Sequence, residues 1–207
     1  MSEDSSSHDT ANPHILLVED EVIIAMARAQ SLEARGYLVS LAQNGEEAVA
    51  RALEQDVDLI LMDIDLGRSA IDGTEAARRI LAQRDVPLIF LSGHTEPEIV
   101  DRTEQISSYG YVVKDSGDTV LDASIRMAFR LHEAYTTIAE HAQALAASEE
   151  RFHQIFMNMQ EGVGIYRPVE DGDDFVFVDL NPAGLAQGRI ERRDVVGRRL
   201  SEVFPGP

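Results

Sequence analysis

Acidic side chains, a hydroxyl and a lysine each follow a short apolar run. Glu19 and Asp20 follow HILLV, Asp63 follows DLILM, Ser92 follows PLIFL and Lys114 follows GYVV. Three carboxylates brought together repel one another and favour a hard divalent cation, most naturally Mg²⁺. The cation, a lysine and a hydroxyl could together compensate the charge of a phosphoryl group. The pattern therefore predicts Mg²⁺-dependent phosphoryl chemistry, with Asp63 as the acceptor or as one more metal ligand.

These apolar runs alternate with stretches that have helical spacing. Continuous apolar runs of this length are typical of strands buried on both faces of a parallel sheet. Five strands alternating with five helices predict a doubly wound, five-stranded parallel α/β sheet, with functional side chains at the carboxyl ends of the strands. The predicted strands are 14–18, 37–42, 58–62, 87–91 and 110–113, and the predicted helices are 21–35, 46–55, 74–83 and 96–106, with a fifth from about Thr119.

The composition of the chain excludes some kinds of chemistry and predicts which partners it does not bind. The chain has 207 residues, a net charge of −19 and no cysteine, which excludes disulfides and thiol chemistry. Such acidity repels nucleic acid and anionic lipid, so we predict neither as a partner. The sequence shows no membrane-spanning run and no signal peptide, which predicts a cytoplasmic location.

Residues 14–131 resemble the receiver domain of response regulators in two-component signalling, which has a flavodoxin-like fold. The motifs that carry the resemblance are ILLVEDE, LILMDID, PLIFLSG and GYVVKD. The resemblance implies that Asp63 accepts a phosphoryl group from the phosphohistidine of a sensor histidine kinase or a histidine phosphotransfer protein. The domain would then be a phosphoacceptor that catalyses only its own phosphorylation and dephosphorylation, not an enzyme that turns over a substrate.

The same resemblance implies the role of each site residue. Asp20 and Asp63 would bind Mg²⁺ directly, Glu19 mainly through water, and Asp65 through its backbone carbonyl. Lys114 and Ser92 would contact the phosphoryl group. Ser92 and Tyr111 would form the switch, with Ser92 turning toward the phosphoryl group and Tyr111 moving inward behind it.

Two loops depart from the usual receiver pattern. Asp115 follows Lys114 where receivers usually have proline, and Gly67 stands where they usually have proline four residues after the acceptor. Both changes are expected to loosen loops beside the site. They affect the expected rates and the lifetime of the phosphorylated form, but not the chemistry.

Two alternatives remain open from the sequence. Asp63 and Asp65 form a D-x-D pair like that of haloacid-dehalogenase-type Mg²⁺-dependent phosphatases, in which Asp65 would act as general acid and base. The order of the motifs argues against this, because the second acidic pair, Glu19–Asp20, lies upstream of the D-x-D pair and not downstream. A receiver-shaped scaffold that is never phosphorylated is the other alternative.

The second half of the chain predicts a helical linker and a partial domain. A long helix leaves the receiver, and Leu131, Ile138, Leu145 and Phe152 recur on it every seven residues. This spacing favours a coiled-coil-like linker over 132–150 and a homodimer. His132 is interpreted as a solvated helix residue.

Residues 151–207 resemble the first half of an α+β PAS sensor domain, with two strands and a helix starting at Asn181-Pro182-Ala183, and with no cofactor assigned. Two strands cannot bury a core alone, so this polypeptide is expected to be a piece of a longer signalling protein, or the segment leans on a partner. The organisation expected is therefore a disordered tail over 1–13, a receiver over 14–131, the linker, and a partial PAS domain.

Overall fold

The computed structural model describes residues 12–67, 69–93, 109–169 and 174–204. Strands and helices alternate in its first half, in agreement with the apolar runs. These elements are β1 His14–Val18, α1 Val22–Glu33, β2 Leu38–Ala42, α2 Gly45–Glu54, β3 Leu59–Asp63, α3 Gly73–Leu81, β4 Leu88–Ser92, β5 Tyr111–Val113 and α4 Asp118–Asn158. The helix predicted at 96–106 lies outside the described residues, as do residues 1–11 of the predicted tail.

The first five strands form one parallel sheet in the order β2-β1-β3-β4-β5. The chain winds outward in both directions from the β1–β3 pair, and in such sheets ligands bind at the carboxyl ends beside this point. Val18 pairs with Met62 in the β1–β3 register, so the residues that come next, Glu19 and Asp63, lie side by side. Ser92 pairs with Val113, which places Lys114 just beyond the end of β4.

Side chains on both faces of the sheet hold these strand ends in place. Leu16 and Val18 of β1 pack in a buried cluster with side chains of α2 and α3. Ile15 and Leu17 pack in a second cluster with side chains of α1 and α4. Because successive strand residues point to opposite faces, a slip of one residue would move each apolar side chain to the wrong cluster. Burial on both faces therefore fixes the register on which the site depends.

Helix α4 is continuous from Asp118 to Asn158. The boundaries predicted at residues 131 and 150 therefore fall inside one helix, and the structure divides into two compact units between Thr137 and Ile138. No proline or glycine occurs between Asp118 and Asn158, which explains why the predicted long helix continues without a break past the proposed end of the receiver.

The second unit contains the two predicted strands. They are β6 Gly164–Pro168 and β7 Phe175–Leu180, which pair antiparallel and are followed by α5 Pro182–Gly188, a 3₁₀ turn Arg192–Asp194 and α6 Leu200–Val203. Buried Asn181 caps α5, because its Oδ1 accepts from the N–H groups of Gly184 and Val163, both at 2.9 Å. The predicted hairpin and helix start are present, while the assignment of this segment to a PAS domain stays a prediction.

Candidate functional site

Four strand ends bring acidic, hydroxyl and ammonium groups to one edge of the sheet. Glu19 and Asp20 follow β1, Asp63 ends β3, Ser92 ends β4 and Lys114 follows β5. Carboxylate oxygens of Glu19, Asp20 and Asp63 lie within 4.8 Å of one another. Glu19, Asp63 and Ser92 are buried, whereas solvent reaches Asp20.

Buried ion pairs connect the site into a chain of alternating charges. Lys114 Nζ donates to Asp63 Oδ2 at 2.6 Å and to Glu19 Oε1 at 3.0 Å. The other Glu19 oxygen, Oε2, accepts from Arg28 Nη1 at 3.0 Å. Each buried carboxylate therefore has a cationic partner, which burial of a charge requires.

Burial raises the pKa of Asp63 to about 6, because Lys114 offsets only part of the desolvation and the charge of Glu19 adds to the rise. Burial by itself lowers the pKa of Lys114, but its hydrogen bonds to Asp63 and Glu19 outweigh this effect and the net shift is upward. At neutral pH the pair is thus a carboxylate, more basic than an ordinary aspartate, and an ammonium. A basic carboxylate next to a fixed cation is suited to attack an electrophilic phosphorus atom.

The loop after Asp63 approaches the site closely through its backbone. The Asp65 N–H donates to Asp63 Oδ1 at 3.2 Å, while the Asp65 side chain is exposed. Gly67 has φ of 48°, and a Cβ built on it would overlap Asp20 Oδ2. Proline, with φ near −65°, fits neither this backbone nor this space. The departure at Gly67 therefore lets the loop lie against Asp20.

The turn after Lys114 is held without proline. The Lys114 N–H donates to Ser92 O at 2.8 Å, and both the N–H and the hydroxyl of Ser116 donate to Val113 O, at 3.0 and 2.7 Å. These bonds fix the strand end that carries Lys114, while the Asp115 side chain is exposed. Tyr111, at the start of β5, is 42% exposed.

One residue of the site was missed by the sequence reasoning. Arg28 lies on α1 and is tied to the site by its ion pair with Glu19. The signal that could have found it is its helical spacing from Ala25 and Leu32, because a lone charge on an apolar face needs a partner.

Comparison with known proteins decides the family. Residues 15–126, more than half of the chain, match the family described as "Response regulator receiver domain". The chain belongs to the response regulator receiver family. The sheet order and the long C-terminal helix agree with the receiver fold that the resemblance implied, and the family consists of signalling domains, not of classical enzymes. The assignment leaves the haloacid-dehalogenase-type alternative without support.

Three individual relatives match between 56% and 70% of the chain. The chain is 30% identical over 148 residues to the transcriptional regulatory protein PdtaR of Mycobacterium tuberculosis (strain CDC 1551 / Oshkosh), covering 70% of this chain and 71% of PdtaR. The N-terminal domain of a response regulator/sensory box/GGDEF 3-domain protein from Carboxydothermus hydrogenoformans is 40% identical with a TM-score of 0.56, covering 59% of this chain and 98% of that one. TrrA from Thermotoga maritima, in complex with Mg(2+)-BeF, is 27% identical with a TM-score of 0.51, covering 56% of this chain and 98% of TrrA.

The relatives and the helices of the chain bear on its predicted partners and location. PdtaR is named as a transcriptional regulator, so the relatives do not support the prediction that nucleic acid is not a partner. Within the described parts of the chain, no helix is both long and apolar enough to span a bilayer. The cytoplasmic location stays a prediction.

Proposed function

We propose that this receiver accepts a phosphoryl group on Asp63 from the phosphohistidine of a sensor histidine kinase or a histidine phosphotransfer protein. The observation that carries the proposal is the position of Lys114, whose ammonium is bound to both Asp63 and Glu19 where three carboxylates converge. In the transfer, an Asp63 oxygen forms a bond to phosphorus as the P–N bond to histidine breaks. The released imidazole nitrogen keeps the electron pair and takes a proton from solvent.

The donor set fits Mg²⁺. Three carboxylates with oxygens within 4.8 Å of one another supply hard, anionic ligands, and the Asp65 backbone carbonyl would add a neutral one. Asp20 and Asp63 would bind the ion directly and Glu19 mainly through water, because Arg28 and Lys114 already engage both Glu19 oxygens. When bound, Mg²⁺ supplies positive charge that offsets the transferring phosphoryl oxygens.

Residues of the chain would then hold and sense the phosphoryl group. Lys114 donates to one of its oxygens, and the Ser92 hydroxyl, at the end of the neighbouring strand, donates to another. When Ser92 turns toward the phosphoryl group, the space behind it admits the half-exposed ring of Tyr111. Phosphorylation thereby biases a two-state equilibrium of the receiver and is not a turnover reaction.

The output of this equilibrium would leave through helix α4. The proposed linker, residues 132–150, leads into a proposed partial PAS domain over 151–207. The Carboxydothermus protein, named as a response regulator/sensory box/GGDEF 3-domain protein, supports the presence of a receiver and a sensory domain in one chain. Leu131, Ile138, Leu145 and Phe152 are all exposed on α4 at a spacing of seven residues, which supports a homodimer through this helix.

The proposed function is tested by phosphorylation of the whole chain. With Mg²⁺ and acetyl phosphate, the protein should gain one acid-labile phosphoryl group, and Asp63→Asn should gain none. Asp65→Asn is the matched control, because only the backbone of Asp65 is given a role and the variant should be phosphorylated normally. Mg²⁺ alone should raise the melting temperature of the wild type, since it binds the folded state only. Sustained phosphate release from a generic phosphomonoester, abolished in Asp65→Asn, would instead identify a phosphatase.

A further inference from the structure

An arginine occupies the buried side of helix α1. Ala25, Ala29 and Leu32 are the buried residues of α1, and Arg28 lies three residues after the first and four before the last, on the same side of the helix. Its side chain is only 12% exposed. Charged side chains rarely occupy such a position unless they are paired, and the partner here is Glu19, which is fully buried.

The two oxygens of Glu19 are divided between two cations. Arg28 holds Oε2 and Lys114 holds Oε1, each at 3.0 Å. Lys114 also bonds Asp63 more closely, at 2.6 Å, so a single ammonium serves two carboxylates. The charge on Glu19 is therefore largely compensated by Arg28, and Lys114 remains available to Asp63.

We propose that Arg28 is a positioning residue of the phosphoryl-accepting site, a role that rests on the proposed function. Through Glu19 it has two effects. It prevents an undercompensated Glu19 from drawing the Lys114 ammonium away from Asp63. It also places a positive charge behind the carboxylate cluster, which weakens the attraction of the cluster for Mg²⁺. Arg28 thereby lowers the affinity of the site for Mg²⁺ and at the same time keeps Lys114 beside Asp63.

The test compares Mg²⁺ binding and phosphorylation in variants of the full chain. Arg28→Met removes the charge but keeps much of the apolar stem, and it should tighten Mg²⁺ binding roughly tenfold in calorimetric titrations at low salt. At saturating Mg²⁺ the same variant should be phosphorylated by acetyl phosphate roughly tenfold more slowly, because Lys114 is drawn toward Glu19. Arg28→Lys keeps the charge and should restore both quantities to within about threefold of the wild type.

The sign of the Mg²⁺ effect separates this role from a purely structural one. If Arg28 only supported the fold, Arg28→Met would bind Mg²⁺ equally or more weakly, and that result would overturn the inference. Arg51→Met is the matched control, since it removes an arginine from the more exposed pair with Glu47 on α2 and should leave Mg²⁺ binding unchanged.

A second background covers the case in which Arg28→Met leaves too little folded protein. In Glu19→Gln the buried carboxylate is gone, so Glu19→Gln/Arg28→Met contains no unpaired buried charge and should fold. The double variant should bind Mg²⁺ more tightly than Glu19→Gln, and equal binding would overturn the proposed charge effect. A wild type that binds no Mg²⁺ and accepts no phosphoryl group would refute the proposed function itself. A wild type that does both, together with Arg28 variants that bind Mg²⁺ and accept the phosphoryl group equally well, would refute only the role of Arg28.

Discussion

Gly73, the first residue of α3, lies directly against the backbone of Asp63. A Cβ on Gly73 would overlap the Asp63 carbonyl oxygen and lie 2.9 Å from its carbonyl carbon, and the Gly73 N–H donates to Ile64 O at 3.1 Å. The carbonyl carbon and oxygen of Asp63 cannot move away from such a Cβ, because they are main-chain atoms at a buried strand end. Helix α3 therefore begins in direct contact with Asp63, the proposed phosphoryl acceptor.

Gly73→Ala should consequently damage both stability and the site. We expect the free energy of unfolding to fall by about 2 kcal/mol or more, as for other overpacked positions. Phosphorylation of Asp63 by acetyl phosphate should slow by at least roughly tenfold, because a shift of about 1 Å disrupts aligned groups. Gly93→Ala is the control, since a Cβ at Gly93 meets nothing within 4 Å among the residues that the structure describes. Equal rates in the two variants would show that contact with α3 does not position Asp63.

Tyr37 gives the receiver a stability term that depends on pH. Its hydroxyl donates to Asp122 Oδ1 at 2.9 Å, and burial, this hydrogen bond and the Asp122 charge raise the pKa of Tyr37 to about 12 from an ordinary 10.0. The folded pKa is the higher one, so the neutral phenol stabilises the fold below pH 10. The contribution is lost as the pH rises toward 12.

Tyr37→Phe should therefore lower the free energy of unfolding by about 1 kcal/mol at neutral pH. The difference between wild type and variant should shrink between pH values of about 10 and 12. Denaturant titrations of both proteins at a series of pH values measure this difference in the free energy of unfolding. A difference that stays constant through this window would mean that the phenol gains nothing from Asp122.

The sequence was sufficient for the parts of this structure that depend on local pattern. Continuous apolar runs gave the strands, and the residue after each run had to lie at the carboxyl edge once the sheet was parallel. The length of α4 follows from the missing helix breakers. Arg28 was not predictable in the same way, because its role depends on how α1 packs beside the end of β1. The conformation of Gly67 likewise depends on where the Asp20 carboxylate lies.

His132 shows the same limit, since it was interpreted as a solvated helix residue. Its side chain is only 24% exposed, and the Tyr109 hydroxyl lies 2.9 Å from its Nδ1, with the two rings edge to face. Tyr109 precedes β5, which carries Tyr111, and its N–H donates to Leu88 O at 2.9 Å. The contact therefore joins β5, the strand that carries Tyr111, to helix α4. It does so at the start of β5, whereas Asp63 lies at the opposite, carboxyl edge of the sheet.

Tyr109→Phe should loosen this junction without altering the chemistry. It removes a hydrogen bond worth about 1 kcal/mol but keeps the ring, so amides of α4 around His132 should exchange with solvent roughly fivefold faster. The rate of Asp63 phosphorylation should not change. Hydrogen exchange followed by mass spectrometry measures the first quantity and acetyl phosphate labelling the second. Unchanged exchange in the variant would show that the hydrogen bond does not hold the helix.

The last prediction concerns the exposed face of α4. Ile138 and Leu145 are 64% and 61% exposed, and their spacing of seven residues places them on one face of the helix. If this face is the seam of a parallel dimer, Ile138→Asp with Leu145→Asp removes two apolar layers and places like charges opposite one another. The dimer dissociation constant should rise roughly ten-thousandfold or more, given about 1.5 kcal/mol for each of the side chains that the two chains lose. Asp63 should be phosphorylated as before, because the receiver unit ends at Thr137.

Sedimentation of phosphorylated and unphosphorylated protein measures that association. Gln143→Asp is the control, because Gln143 is exposed on the opposite side of the helix from Ile138 and Leu145 and should leave the dimer intact. Phosphorylation of the wild type should change the dissociation constant, since the proposed switch residues Ser92 and Tyr111 lie on β4 and β5, and β5 leads into α4. If wild type and the double variant sediment as the same monomer, phosphorylated or not, association through α4 does not occur. The signal must then leave the receiver through its own surface, where the exposed ring of Tyr111 on β5 provides the first place to look.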